Sequence, residues 1–115
     1  MIISEKICNS ISVITLQGTL DASTASTLKT FKPALPASSP IVIDFSRVDF
    51  LDSSGLGALV GIAREKRSKG GEVTLACLNN KVRKVFEITQ AYKLFDIFDD
   101  VEAATLHAEK KQGHL

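Results

Sequence analysis

Asp52-Ser53-Ser54-Gly55-Leu56-Gly57 puts a carboxylate, two hydroxyls and two glycines into one short run. It stands where an apolar, strand-like run has ended and a helical pattern is about to begin. A helix N-terminus carries about half a positive charge and unpaired N–H groups, and such an end accommodates phosphate, either as a ligand or on a modified serine. In open α/β sheets, sites collect outside the carboxyl ends of the strands, which is where this run falls. Capping is one role: Asp52, Ser53 or Ser54 accepts from the backbone of the first turn. A serine that is covalently modified, or that binds a partner, is another.

Two further chemistries fit the residues poorly. Gly55, Gly57 and Gly61 give G-x-G-x-x-x-G, whereas the dinucleotide fingerprint needs its third glycine at the position of Val60. The strand that follows ends Ala76-Cys77-Leu78, with no acidic residue to hold a ribose. A nucleophile elbow needs G-x-S-x-G, and Leu51 stands where its first glycine belongs. The two histidines, His107 and His114, lie far along the chain and read as solvated, and no lysine flanks Ser53 to act as its base. The pattern argues against an enzyme and implies no cofactor and no metal.

The elements that hold this run follow from periodicity. Residues 2–7 and 11–17 alternate and are rich in β-branched side chains, so they read as strands joined by an Asn9-Ser10 hairpin turn, with Gly18 to Asp21 ending the second. Asp21 or Ser23 caps a helix through Ala25, Leu28 and Phe31, and the proline-rich residues 33–40 form a loop. Ile41 to Phe45 is a continuous apolar run, suited to a central strand, and Ser46 to Leu51 bridges it to the motif. Leu56, Leu59, Val60 and Ala63 share one helical face, and Gly70-Gly71 stop that helix. Val73 to Cys77 is a strand, Asn79-Asn80 a cap or turn, Val82 to Ile88 a helix, Leu94 to Phe98 a short strand and Val101 to Lys111 a last helix, fraying over residues 112–115. Strands alternating with helices after an opening hairpin imply an α/β fold with a mostly parallel sheet. Phe45, Phe50, Phe86, Phe95 and Phe98 are expected in the core. The basic faces of two helices, Lys66, Arg67 and Lys69 on one and Lys81, Arg83 and Lys84 on the other, are expected in solvent, as is the tail Glu109 to Gln112.

Composition narrows the function further. The 115 residues carry 14 Lys+Arg against 13 Asp+Glu, and that +1 balance offers no electrostatic footprint for nucleic acid or a membrane surface. The length suits one domain over residues 1–115. The longest uncharged, mostly apolar window, Ser53 to Ala63, is too short to span a bilayer, and the opening Met-Ile-Ile-Ser-Glu-Lys is not a signal peptide. Cys8 and Cys77, each with apolar neighbours, read as reduced core residues of a cytoplasmic protein.

These residues resemble a known family. Asp52-Ser53-Ser54-Gly55-Leu56-Gly57 is similar to the D-S-[ST]-G-L-G signature of anti-sigma factor antagonists, the stand-alone bacterial STAS domains. Leu16-Gln17-Gly18-Thr19-Leu20-Asp21 is similar to their L-x-G-x-L-D, and Gly70-Gly71-Glu72 before a Val/Leu-rich strand to their G-G-x-[LV]. Val82-x-x-Val85-Phe86-x-x-Thr89 and Leu94-Phe95-x-Ile97-Phe98 resemble their closing helix and strand. The likeness runs from about residue 10 to 108. It implies the STAS fold: about five strands, mostly parallel, with an N-terminal hairpin and about four helices.

The resemblance also implies partner switching. The unphosphorylated protein would bind an anti-sigma factor that is also a serine kinase, releasing the sigma factor. Phosphorylation of Ser53, by ATP held on that kinase, would end the binding, and a PP2C-type serine phosphatase would restore it. Asp52, Ser54 and Gly55 would shape the partner-facing surface, and Asp21 would be a further partner contact. A STAS switch with a non-sigma output, in secretion, biofilm formation or signalling, and an unphosphorylated accessory subunit of a transporter are the alternatives.

Overall fold

The structure is a computed structural model, and it describes residues 1–112. The expected C-terminal fraying over 112–115 falls outside the described residues except that Gln112 closes the last helix.

Ten elements follow in order: β1 (Ile2–Cys8), β2 (Ile11–Leu20), α1 (Ala25–Thr30), β3 (Ile41–Leu51), α2 (Ser53–Ser68), β4 (Val73–Ala76), α3 (Asn80–Ile88), a 3-10 turn (Ala91–Leu94), β5 (Asp96–Phe98) and α4 (Val101–Gln112). The strands lie in chain order in one sheet, β1-β2-β3-β4-β5. β1 runs antiparallel to β2, and every other neighbouring pair is parallel. The fold is thus the α/β sheet with an opening hairpin that the alternation of patterns predicts. Asn9 and Ser10 both take positive φ, 52° and 66°, the backbone that a two-residue I′ turn requires.

Strands in chain order, joined by crossovers of one hand, send their helices to one face. Ile14 and Leu16 of β2, Ile41, Ile43 and Phe45 of β3, and Val73 and Leu75 of β4 accordingly pack in one core with Leu28, Leu59 and Phe86 of α1, α2 and α3. The alternate positions, Ile11, Val13, Val42 and Ala76, meet Ala104 and Ala108 of α4 on the opposite face. The sheet is covered on both sides, which explains why β3 opens as an unbroken apolar run.

Several expectations change. β2 continues to Leu20 instead of ending at Gln17, because Gly18, at φ +119°, takes up a register shift that no side chain would tolerate easily. β3 likewise runs to Leu51, so the expected bridge is strand, paired with the far half of β2. The last strand starts at Asp96, since Ala91 to Leu94 wind into a 3-10 turn. Phe50 is not core: β3 outruns its helical cover there, and the ring is 48% exposed. Cys8 and Cys77 are half-buried rather than enclosed, packed at the edge of the α4 core. Burial, followed by the nearby Asp44 carboxylate, pushes the Cys77 thiol up from its ordinary value. Lys66 is buried at 8% exposure, against the solvated position expected of it. His107 is half-buried, lies 2.9 Å from an Asp96 carboxylate oxygen and packs on the Phe98 ring. The expected solvated tail is tied down as well. Glu109 accepts from the Asn9 side chain at 2.6 Å, and Lys111 pairs with Asp96 at 3.1 Å.

Phe45 is fully buried at the centre of the larger core. Phe45→Ala should lower unfolding free energy by about 3–5 kcal/mol, read from urea denaturation. A loss under about 1 kcal/mol would show that the core does not close over this ring.

Candidate functional site

β2 and β3 end side by side, with Leu20 opposite Leu51 in the parallel ladder. The next residue on each strand is an aspartate, so Asp21 and Asp52 leave the same edge of the sheet. The Asp52 amide donates to the Leu20 carbonyl at 3.1 Å and extends the ladder by one step. Asp52 then caps α2: its Oδ1 accepts from the Gly55 amide at 3.0 Å, and its carbonyl accepts from Leu56 at 2.9 Å. Of the three candidate caps, Asp52 is the one used, and the helix begins three residues earlier than the apolar pattern at Leu56 suggests.

This cap decides the state of the two serines. Ser53 and Ser54 occupy the first turn and are exposed. Neither hydroxyl makes a hydrogen bond among the described residues, and neither backbone amide has an acceptor there. Asp52 satisfies the Gly55 amide in their place, so two hydroxyls and two amide donors are left without a protein partner at this helix end.

Gly55 is buried against the end of β2. A Cβ there would stand 2.3 Å from the Leu20 carbonyl oxygen and 2.9 Å from its carbonyl carbon. Backbone meets backbone, and no rotamer change relieves that contact. Gly57 has no heavy atom within 4 Å of a Cβ position, so it is glycine for no steric reason.

Asp21 is not a helix cap, because α1 starts after Thr24, which makes no side-chain cap bond. Its Oδ1 gathers the Ser23 hydroxyl at 2.6 Å, the Ser23 amide at 2.9 Å and the Thr24 amide at 3.2 Å. These bonds, the Ser23 hydroxyl foremost, hold its carboxyl below the usual aspartate value. Thr24 locks the same turn, accepting from the Asp21 amide at 3.0 Å and donating to the Thr19 carbonyl at 2.7 Å.

Three further residues at this edge carry no signal in the motif. Thr19 donates to Asp49 across β2 and β3 at 2.9 Å. The Asn79 amide donates to the Val48 carbonyl at 2.9 Å while its oxygen caps α3 on Val82. Phe50 is exposed on the strand that delivers the serines. Asn79 was visible as a cap or turn, but its reach to β3 spans 31 positions and leaves no local trace. The structure therefore brings Asp21, Asp52, Ser53, Ser54 and Gly55 to one edge. Among the described residues, no three metal-ligating side chains are grouped to hold an ion, and no helix is long and apolar enough to cross a membrane.

A family model for the STAS domain matches residues 3–104. The chain belongs to the STAS domain family. It is 33% identical over 86 residues to the anti-sigma-B factor antagonist of Listeria monocytogenes, covering 73% of this chain and 75% of that one. It is 33% identical over 66 residues to the anti-sigma F factor antagonist of Paenibacillus polymyxa, and there the match spans just over half of each, 56%. Among solved structures, an anti-sigma factor antagonist from Mycobacterium paratuberculosis superposes with a TM-score of 0.82 at 24% identity, over 94% of this chain and 93% of that one. A sulfate transporter family protein from Wolinella succinogenes gives 0.79 at 15% identity, over 94% and 92%. At such identities these two likenesses concern the fold alone, and they show that the STAS architecture serves unlike proteins.

Two tests separate the structural roles at this edge of the STAS domain. Gly55→Ala should cost about 1–3 kcal/mol from overpacking, whereas Gly57→Ala should be neutral or gain up to about 1 kcal/mol from helix propensity; thermal unfolding of both distinguishes them. A depressed folded-state pKa at Asp21 means that its contribution is full above the ordinary aspartate value and is lost as pH falls through the folded one. Asp21→Asn should therefore flatten the acid limb of the stability profile and leave the alkaline side unchanged.

Proposed function

We propose that this STAS domain is an anti-sigma factor antagonist that works by partner switching in the cytoplasm. The observation that carries the reading is the exposed Ser53 hydroxyl in the first turn of α2, without a hydrogen-bond partner and beside a cap made by Asp52. The relatives named for anti-sigma antagonism support it. The partner is an anti-sigma factor that is also a serine kinase, and a PP2C-type serine phosphatase reverses its modification. The domain itself catalyses nothing; ATP is held by the kinase.

The chemistry at Ser53 follows from the site. A phosphoryl group passes from ATP to Ser53 Oγ, ADP leaves, and the hydroxyl proton goes to the kinase. The phosphoserine carries about −1.5 to −2 charge. Within this domain the open amides of Ser53 and Ser54 and the positive end of α2 tolerate it. In a fitted interface it adds bulk and a desolvation cost, and it repels carboxylates. Each ~1.4 kcal/mol of penalty lowers affinity tenfold, so a small mismatch switches the complex off. Asp21, Asp49 and Asp52 already make this edge acidic, which suits a partner with basic groups. Phe50, half exposed on the strand that leads to the serines, supplies an aromatic anchor of the kind that dominates interfaces.

Phosphopeptide mapping of the protein from its host tests the assignment. Phosphate is expected on Ser53, and phosphate confined to Ser54 would move the site by one residue. Ser53→Asp should weaken binding to the partner kinase at least about tenfold, while Ser53→Ala should bind and resist ATP. If both variants behave as wild type in a pull-down, the switch is wrong. The captured partner also separates a sigma-releasing kinase from a client in another pathway.

A further inference from the structure

Away from the serines, α1, α2 and the 31–37 loop line a cavity of about 260 Å³ that is open to solvent on one side. Leu28, Phe31, Leu35, Ile41 and Ile62 supply the apolar part of its lining. Lysines 29, 32, 66 and 69 also line it, against one carboxylate, Glu65. Lys66 sets it apart from a packing defect. This side chain is more than nine-tenths buried, yet it makes no hydrogen bond and no ion pair among the described residues. No fully enclosed side-chain nitrogen lacks a partner there, so the Lys66 Nζ keeps some access to solvent, and its side chain lines this cavity.

The nearby acids do not complete that ammonium. Glu5 is committed elsewhere, accepting from the Ser12 hydroxyl at 2.7 Å and from the Ala34 amide at 3.1 Å. Glu65 pairs with Lys69 at 3.4 Å. Gly71 leaves room for the Lys66 stem, since a Cβ there would stand 3.0 Å from the Lys66 Cγ. Burial depresses the Lys66 ammonium below the usual lysine value, and the charges of Glu5 and Glu65 pull it part of the way back. A partly desolvated charge without a partner is held at a cost, and an anion placed beside it offsets part of that cost.

We propose that this cavity binds a medium-chain carboxylate, with the apolar chain among Leu28, Phe31 and Ile62 and the carboxylate on Lys66 Nζ. At ~30 Å³ per water-sized group, 260 Å³ holds about eight or nine methylenes. That suits an eight-carbon chain. Lys29, Lys32 and Lys69 at the cavity add positive charge that draws the head group in. The site is distinct from Ser53, which starts the same helix that carries Lys66 near its other end.

Titration of the 15N-labelled protein with octanoate, read by amide shifts, tests this. Saturable shifts are expected on residues 28–37 and 62–69, with a Kd below about 1 mM, and none of that size with acetate or inorganic phosphate. Octanol, which has the chain but no charge, should bind at least about tenfold more weakly, as should octanoate to Lys66→Met. No saturable shift with octanoate, or shifts centred elsewhere, would overturn the site. Equal binding of octanol and octanoate to the wild-type protein would overturn the role of Lys66 whether or not the variant folds. Equal binding of acetate and octanoate would overturn the chain pocket.

Discussion

The approach of Gly55 to the Leu20 carbonyl sets the geometry on which the functional edge depends. A Cβ at position 55 would overlap that oxygen at 2.3 Å, so α2 sits this close to β2 only because the residue has no side chain. The contact pins the first turn of α2 against the end of β2. It also places Asp52 one step beyond Leu20 in the ladder, where its amide finds the Leu20 carbonyl and its carboxylate turns back to cap Gly55. With the cap supplied by Asp52, the next two side chains are left to project from the surface. A glycine, a strand carbonyl and one carboxylate therefore produce an exposed serine held on rigid elements, which is how a modifiable residue keeps a defined shape for its partner.

The rest of the fold supports that corner. Strands in chain order put α1, α2 and α3 over one face, and α4 closes the other with alanines. Because β2 and β3 each extend beyond their apolar runs, Thr19, Asp49 and Phe50 reach the edge with the serines. Asn79 draws the start of α3 to β3 through the Val48 carbonyl, so the ends of β2, β3 and β4 act as one surface. Lys66 lies thirteen residues along α2 from Ser53, about 20 Å at 1.5 Å per residue. One helix thus presents an anion-tolerant end at the sheet edge and, near its other end, an unpaired lysine that lines a cavity.

Much of this was legible in the chain. The alternation of Ile11 to Leu16, the unbroken run Ile41 to Phe45 and the i, i+3, i+4 spacing from Leu56 report local periodicity, and local periodicity survives folding because it reflects which face is buried. The motif at 52–57 was legible for the same reason, since a cap and a tight strand–helix junction are made by neighbours in sequence. Errors fell where burial depends on distant segments. Phe50 has the composition of a core residue, but no helix covers that stretch of β3. Lys66 looks like one more charge on a polar face, but it is buried in the fold and lines a cavity together with the 31–37 loop. Gly18 resembles a strand terminator, yet the neighbouring strand gives it ladder partners on both sides of a register shift.

By itself, the sequence determined the element order, the two-sided sheet and the run that bears Ser53, because each rests on propensity, spacing and turn chemistry acting over a few residues. Only the tertiary structure decided which residue caps α2, which of Gly55 and Gly57 is sterically required, and that a lysine is buried without a partner. Those outcomes turn on atoms brought together from separate segments: the carbonyl of Leu20 against Gly55, and the Lys66 stem beside Gly71 and the Ala37 carbonyl. A linear pattern records which side chains are apolar. It does not record which backbone carbonyl, or which vacant space, will lie beside them.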